Sequence, residues 1–259
     1  MIIFNTDLDN TMIYSYKHDI GEDKLCAEVY RNRDISFVTA ETARLLKKVN
    51  DSVLLVPTTT RTQEQYARID LGIGIPKYAL VCNGGVLLVN GTEDEAWYEE
   101  SLASVANCRE QLALAEEILE RDENRSFEIR NIRGLFVFTK SEEPERSVES
   151  LRLRLDPERV DVFNNGVKVY AVPKALSKGI AVERLRKKLG AQLVIAAGDS
   201  EFDVSMLNSC DVPIAPSELA KIAELPQNTV LVDSGIFSEA VLNKVLETAA
   251  AVSTEHSSN

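Results

Sequence analysis

The sequence has few of the residues on which histidine, cysteine or membrane chemistry depends. It contains two histidines, His18 and His256, which disfavours a histidine triad or a histidine-rich metal site. Its four cysteines are scattered without a CxxC pair, and there is no secretory signal, so we expect reduced thiols in a cytoplasmic protein. No apolar run approaches the roughly 20 residues that cross a bilayer. We therefore expect no contact with membranes.

The chain also lacks an excess of positive charge. Its 41 acidic residues outnumber its 29 basic ones, for a formal net charge of −12. A net negative charge of this size repels nucleic acid and anionic lipid, so neither is an expected partner. An anionic substrate would need a local basic site or a bound cation. Hydrophobic residues make up 44% of the 259 residues, enough for a full core.

Apolar runs alternate with amphipathic stretches at both ends of the chain. Strands are predicted at 2–6, 53–56, 79–82, 193–197 and 229–232, with helices at 42–49, 63–71, 177–189, 201–208 and 238–250. This alternation is typical of a parallel sheet covered by helices. The polar tail from Ser253 is expected to fray.

The middle of the chain follows a different pattern. A hairpin of 86–89 with 96–99 is predicted around Asn90-Gly91. Next come a long helix at 101–121, strands at 127–132 and 135–139, a helix at 144–155, and a hairpin of 159–163 with 167–172. We therefore predict an inserted α+β domain at 101–172 inside an α/β core made of 1–100 and 173–259.

Two acidic motifs follow predicted strands of the core. Asp7 and Asp9 come directly after the first strand, where ligands of open α/β sheets bind. Asp199 and Asp203 follow the strand at 193–197, and their spacing of four places both on one helix face, suited to a hard cation. Each motif taken alone is explained about as well by an acidic turn or a helix cap.

Two further motifs lie between the acidic ones. The hydroxyls of Thr58 and Thr59 follow the strand at 53–56 and suit a phosphoryl oxygen, although a helix cap explains them as well. Lys178 opens a predicted helix, where the helix dipole disfavours a positive charge. That position hints at another role for the lysine, although a solvated surface lysine is the usual alternative.

The four motifs, in this order, resemble those of the haloacid dehalogenase superfamily, specifically its Cof-like and sucrose-phosphatase-like phosphatases with a type IIB cap. The resemblance covers nearly the whole chain. It implies a Rossmann-like, doubly wound parallel-sheet core with an inserted α+β cap. Asp7 matches the nucleophile, Asp9 the acid/base and Lys178 the motif lysine. Asp7, the main-chain carbonyl of Asp9, Asp199 and Asp203 match the residues that hold Mg²⁺, with Asp203 acting directly or through water.

The resemblance also implies which residues contact the substrate. Thr59 matches the phosphate-binding residue, with Thr58 as the competing register. Thr60 and Arg61, which follow it, are also expected to contact the substrate, and so is Asn83-Gly84, which matches a turn lining the active site. The sequence departs from the family pattern where Asn10, Thr60 and Phe202 replace the usual Gly, Gly and Asn.

The resemblance implies a Mg²⁺-dependent phosphomonoester hydrolase that forms an aspartyl-phosphate on Asp7. A phosphorylated sugar or similar small metabolite is the expected partner. A phosphomannomutase-like sugar phosphomutase is the main alternative, because it shares the cap and the acidic residues. A non-catalytic phosphate-binding protein is a further alternative. A long segment at 12–40, between the first motif and the first core helix, has no role assigned by the sequence, beyond a possible hairpin of 26–30 with 35–39 over the site.

Overall fold

The computed structural model of the protein describes residues 1–233 and 235–257. The strands are β1 (Ile2–Thr6), β2 (Tyr14–Ser15), β3 (Lys24–Tyr30), β4 (Arg33–Thr39), β5 (Leu54–Pro57), β6 (Tyr78–Val81), β7 (Val86–Val89), β8 (Thr92–Glu93), β9 (Arg130–Ile132), β10 (Phe136–Lys140), β11 (Val160–Asn165), β12 (Lys168–Pro173), β13 (Leu193–Ala197), β14 (Val212–Pro216) and β15 (Val230–Val232). The α-helices are α1 (Ala40–Ser52), α2 (Gln63–Tyr66), α3 (Glu95–Ser104), α4 (Arg109–Glu120), α5 (Pro144–Arg152), α6 (Lys178–Leu189), α7 (Glu201–Asn208) and α8 (Phe237–Ser257). Short 3₁₀ turns lie at Ala106–Cys108 and Leu219–Lys221.

The chain divides into two compact units. The first unit comprises Met1–Asp94 and the chain from Ser177 onward, and the second is Glu95–Leu176. The predicted insert, 101–172, lies inside the second unit. The unit begins earlier than predicted because α3 starts at Glu95, where a strand was expected. The role of this unit as a cap stays a prediction.

A five-stranded parallel sheet forms the centre of the first unit, in the order β15-β14-β13-β1-β5. Phe4 of β1 packs in one core cluster with α1 and α8, through residues such as Leu46 and Leu242. Successive side chains of a strand point to opposite faces, so buried Ile3 faces the other side of the sheet. The predicted α/β parallel-sheet core is confirmed.

The first unit differs from the prediction at three points. The run at 79–82 was predicted as a parallel core strand, but β6 pairs antiparallel with β7, and an isolated parallel bridge joins its Leu80 to Thr58, just after β5. Strand β14 was not predicted. The helix predicted at 63–71 is shorter, because α2 ends at Tyr66.

The segment at 12–40 forms a small antiparallel sheet of its own, in the order β2-β4-β3. Its hairpin of β3 and β4 confirms the predicted pairing of 26–30 with 35–39, with irregular register near Glu28. The segment contacts the residues that follow α2: the amide of Asp70 donates a hydrogen bond to the carbonyl of Ala27 at 2.8 Å. An antiparallel bridge joins Glu28 to Ile69.

The second unit contains a four-stranded antiparallel sheet, β11-β12-β10-β9. Helices α4 and α5 cover one face of it, with Leu112, Leu119 and Leu151 in the same buried cluster as Val137 and Val169. The single helix predicted at 101–121 is wrong, because α3 and α4 are separate and a 3₁₀ turn lies between them.

The strand predicted at 96–99 is also wrong. Strand β7 pairs with β6 and with β8, which is only two residues long. The chain then enters α3, whose alanine, leucine and glutamate residues favour a helix.

The C-terminal helix is longer than the predicted 238–250. The tail predicted to fray from Ser253 continues as helix through Ser257, and the residues beyond lie outside the described part of the chain. None of the helices in the described ranges has an apolar stretch of the length needed to cross a membrane.

Candidate active site

The two acidic motifs meet because their strands are neighbours. In the parallel pairing of β1 with β13, Thr6 lies opposite Ala197. The amide of Asp7, one residue further, donates to the carbonyl of Ala197 at 2.9 Å. Asp7 and Asp199 therefore leave the same carboxyl edge of the sheet.

Lys178 lies between two of these carboxylates. Its Nζ is 2.5 Å from Oδ1 of Asp7 and 2.6 Å from Oδ1 of Asp203, and its side chain is 1% exposed. Ser177 caps the helix by accepting a hydrogen bond from the amide of Ile180 at 3.2 Å. The unfavourable position of a lysine at the start of α6 is thus explained by two buried counter-charges.

Asp203 is held in place on its other side as well. Its Oδ2 accepts hydrogen bonds from the amides of Asp199 and Ser200, at 3.2 and 3.1 Å, and from the Ser200 hydroxyl at 2.8 Å. Gly198 passes directly beneath it, because a Cβ added to Gly198 would be 2.2 Å from the Cβ of Asp203. The Gly-Asp sequence therefore meets a packing requirement as well as a chemical one.

Asp199 accepts hydrogen bonds from two residues that follow Asp9 in the first motif. The hydroxyl of Thr11 donates to its Oδ1 at 3.1 Å, and the side chain of Asn10 also hydrogen-bonds to it. Asn10 has a φ of 58°, in the left-handed region that glycine and asparagine tolerate best. Asparagine therefore suits the backbone at the position where the family pattern has glycine.

Burial and mutual repulsion shift the proton affinities of the acidic residues. Burial raises the pKa of the Asp7 carboxyl well above its ordinary value, against the opposing effect of Lys178. Burial, together with the charge of Asp203, raises the pKa of Asp199 to about 7. Burial by itself lowers the pKa of Lys178, but Asp203 and Asp7 outweigh it and raise that pKa, so the lysine stays charged.

The acidic residues form a group suited to a cation. Asp7, Asp199 and Asp203 each offer a carboxylate oxygen, and these oxygens lie within 4.8 Å of one another. Carboxylate oxygens are the ligands that Mg²⁺ prefers in proteins. Burial, and after it the neighbouring carboxylates, raise the pKa of Asp7 and Asp199, and a divalent ion would stabilise the charged form of both. The residues present therefore fit a magnesium ion.

Asp9 has a different environment from the other acids. Arg61 binds its carboxylate with two hydrogen bonds, Nε to Oδ2 at 2.8 Å and Nη2 to Oδ1 at 2.7 Å. The side chain of Asp9 is 51% exposed, so it is open to solvent. Arg61 is paired with Asp9 and with Glu28, and its predicted contact with the substrate stays a prediction.

The two threonines of the third motif are both buried, and their hydroxyls have different partners. The Thr58 hydroxyl donates to the carbonyl of Val56 at 3.2 Å and accepts from the Asn5 amide at 2.9 Å. The Thr59 hydroxyl accepts from the amide of Arg61 at 3.1 Å. Thr60, between Thr59 and Arg61, has a partly exposed side chain.

The predicted Asn83-Gly84 turn lies beside this loop. The amide of Asn83 donates to the carbonyl of Thr59 at 3.0 Å, and Asn83 and Gly84 both have positive φ. A Cβ on Gly84 would be 2.3 Å from the Cβ of Ala181, so the turn packs closely on α6. The structure thus gives Gly84 a packing role, and its predicted substrate contact stays a prediction.

Residues 86–218, just over half of the chain, match the family of haloacid dehalogenase-like hydrolases. The chain belongs to this family. The matched residues include Lys178, Asp199 and Asp203, whereas Asp7 and Asp9 lie before them. No curated protein matches the chain.

Several solved structures share the fold of this family member. The sucrose-phosphatase of Synechocystis superimposes with a TM-score of 0.68 at 16% identity, covering 95% of this chain and 97% of that one. A haloacid dehalogenase-like hydrolase of B. subtilis gives a TM-score of 0.57 at 18% identity, covering 95% and 99%. A trehalose-6-phosphate phosphatase related protein gives 0.53 at 12% identity, covering 98% and 100%. At these identities the similarity shows the fold.

Proposed function

We propose that the protein is a Mg²⁺-dependent phosphomonoester hydrolase that acts through an aspartyl-phosphate on Asp7. Its proposed substrate is a phosphorylated sugar or a similar small metabolite. One observation carries the proposal: Lys178 is buried between Asp7 and Asp203, beside Asp199. A lysine and three aspartates at the carboxyl edge of a parallel sheet, in a hydrolase family, suit transfer of a phosphoryl group.

Asp7, Asp199 and the main-chain carbonyl of Asp9 would hold the Mg²⁺ ion. All the hydrogen bonds described for Asp203 are to Lys178 and to the loop after β13. We therefore assign Asp203 mainly to orienting Lys178 and that loop, with contact to the ion through water. When bound, the ion would neutralise the carboxylates and offset charge on the phosphoryl oxygens.

The proposed reaction has two steps. A carboxylate oxygen of Asp7 attacks phosphorus, the bond to the ester oxygen breaks, and that oxygen takes a proton from Asp9 to leave as an alcohol. Water then attacks the aspartyl-phosphate and gives a proton to the Asp9 carboxylate, which releases phosphate and restores Asp7. Lys178 stabilises negative charge on the phosphoryl group in both steps.

The phosphoryl oxygens also need neutral donors. The Thr58 hydroxyl already donates its hydrogen to the carbonyl of Val56, whereas the Thr59 hydroxyl accepts a backbone hydrogen bond and keeps its own hydrogen for a ligand. This favours Thr59 as the phosphate-binding residue. Thr60 and the Asn83-Gly84 turn next to it are the remaining proposed contacts.

Two observations support the choice of substrate class. The charge of −12 disfavours large anionic partners such as nucleic acid. The Synechocystis sucrose-phosphatase, solved with sucrose and phosphate, shares the fold over 95% of this chain. Phosphorylated sugars are therefore the first compounds to test.

The decisive experiment measures phosphate release from a panel of phosphorylated metabolites with Mg²⁺. We expect turnover by the wild type, none by Asp7→Asn, and unchanged turnover by the matched control Asp51→Asn, at an exposed position near the end of α1. Full activity in Asp7→Asn would contradict the mechanism. An isomerised sugar phosphate in place of free phosphate would indicate a mutase. No turnover of any compound would favour a phosphate-binding protein.

A further inference from the structure

Glu28, in the segment at 12–40, is a buried carboxylate with several charged partners. Its side chain is fully buried, and its Oε1 accepts from Nε of Arg68 at 3.0 Å. Its Oε2 accepts from Nη1 of Arg61 at 2.9 Å and from the Ser36 hydroxyl at 3.0 Å. A buried carboxylate is costly unless it is paired and hydrogen-bonded, and Glu28 is both.

Arg61 connects this buried carboxylate to the active site. One edge of its guanidinium, through Nε and Nη2, binds both oxygens of Asp9, while Nη1 binds Glu28. The guanidinium is planar, so fixing Nη1 also fixes the direction of the other two donors. The position of Asp9 thus depends on where Glu28 holds Arg61.

We propose that Glu28 is a positioning residue for Asp9 and acts through Arg61. This inference rests on the proposed function. It gives the segment at 12–40 a catalytic purpose, and it assigns Arg61 to the acid/base residue rather than to the phosphate.

Glu28 is well placed for this role because it is held from several directions. Arg68, in the turn after α2, and Ser36 of β4 both bind it, and the backbone bridge from Glu28 to Ile69 joins β3 to the same turn. Side chains fixed by a supporting shell hold catalytic groups more accurately than side chains exposed to solvent. The half-exposed Asp9 is the group that most needs such support.

The test compares two substrates whose leaving groups differ in how much they need a proton. An alkyl phosphate needs protonation of its ester oxygen, whereas p-nitrophenyl phosphate leaves readily without it. We expect Glu28→Gln to lower kcat/KM for an alkyl phosphate about tenfold more than for p-nitrophenyl phosphate. A tenfold difference is part of the rate enhancement that a general acid contributes. Glu41→Gln, the same substitution in the exposed pair with Arg44, is the control and should leave both values unchanged.

A double-mutant cycle shows whether Glu28 acts through Arg61. Arg61→Gln should give the same leaving-group dependence, and Glu28→Gln should add nothing to it. If Glu28→Gln does not fold, Glu28→Asp, which keeps the charge on a shorter side chain, carries the test and should show the same leaving-group dependence. Equal losses for the two substrates in the Arg61 or Glu28 variant, or additive losses in the double variant, overturn this inference while the proposed function stands. An inactive wild type overturns both.

Discussion

Lys178→Met is the substitution that most directly tests the charge balance of the buried site. It keeps most of the side-chain volume but removes the ammonium that lies 2.5 Å from Asp7 and 2.6 Å from Asp203. Removing one partner of a buried ion pair costs about 3–5 kcal/mol, because the remaining charge is left without compensation. Here two carboxylates lose the same counter-charge, so we expect a loss of at least about 3 kcal/mol in the free energy of unfolding.

Urea unfolding followed by circular dichroism, in EDTA at pH 7.5, measures this loss. The matched control is Lys188→Met on the same helix, which removes a partly exposed pair with Asp94 at 3.1 Å. Exposed pairs contribute about 0–1 kcal/mol, so the control should change little. Equal changes in the two variants would refute the reasoning.

The pH dependence of the Lys178→Met loss provides a second check. Lys178 holds the pKa of Asp7 down against burial, so removing it raises that pKa further. The folded variant then binds a proton more readily than the unfolded chain, and this proton neutralises the buried charge. The loss should therefore be smaller at pH 5 than at pH 7.5. A loss that grows toward pH 5 would contradict the assignment.

Three other changes test separate parts of the site. The pKa of Asp199 is raised from about 4 in the unfolded chain to about 7 in the folded protein, so its contribution to the stability of the metal-free protein falls as the pH rises between these values. Protons also compete with Mg²⁺ for this carboxylate, so the Mg²⁺ affinity measured by calorimetry should be higher at pH 8 than at pH 6. Gly198→Ala should cost about 1–3 kcal/mol or more in urea unfolding, since its Cβ would clash with Asp203. Asn10→Ala and Asn10→Gly both remove the side-chain amide, so the difference between their free energies of unfolding measures the cost of the positive φ alone. We expect the glycine variant to be more stable by about 1 kcal/mol.

The local sequence pattern predicts best the buried strands that are followed directly by acidic residues. β1 and β13 are short apolar runs, and Asp7 and Asp199 follow them, so periodicity and the polar break agree. That Asp7 and Asp199 meet follows from their strands being neighbours in a parallel sheet. The unusual position of Lys178 at a helix start was a further signal, and its buried ion pairs explain it.

The parts that sequence did not predict depend on long-range pairing. β14 contains Pro213 and Pro216, which normally argue against an inner strand, yet it lies between β13 and β15. The run at 79–82 looks like any buried strand, and only its partner β7 decides its direction. Glu28 was missed because it carries no motif, and its importance comes from contact with Arg61, 33 residues away in sequence.

The position of β1 in the sheet has a consequence for synthesis of the protein on the ribosome. β1 pairs with β5 on one side and with β13 on the other, and the whole second unit lies between these two partners in the chain. A nascent chain that ends at Leu176 therefore has a complete second unit and half of the pairing of β1, but neither the lysine nor the two later aspartates. Domains generally fold as units during translation, so the second unit can fold first. The charged residues that surround Asp7 are therefore complete only after Asp203 has emerged.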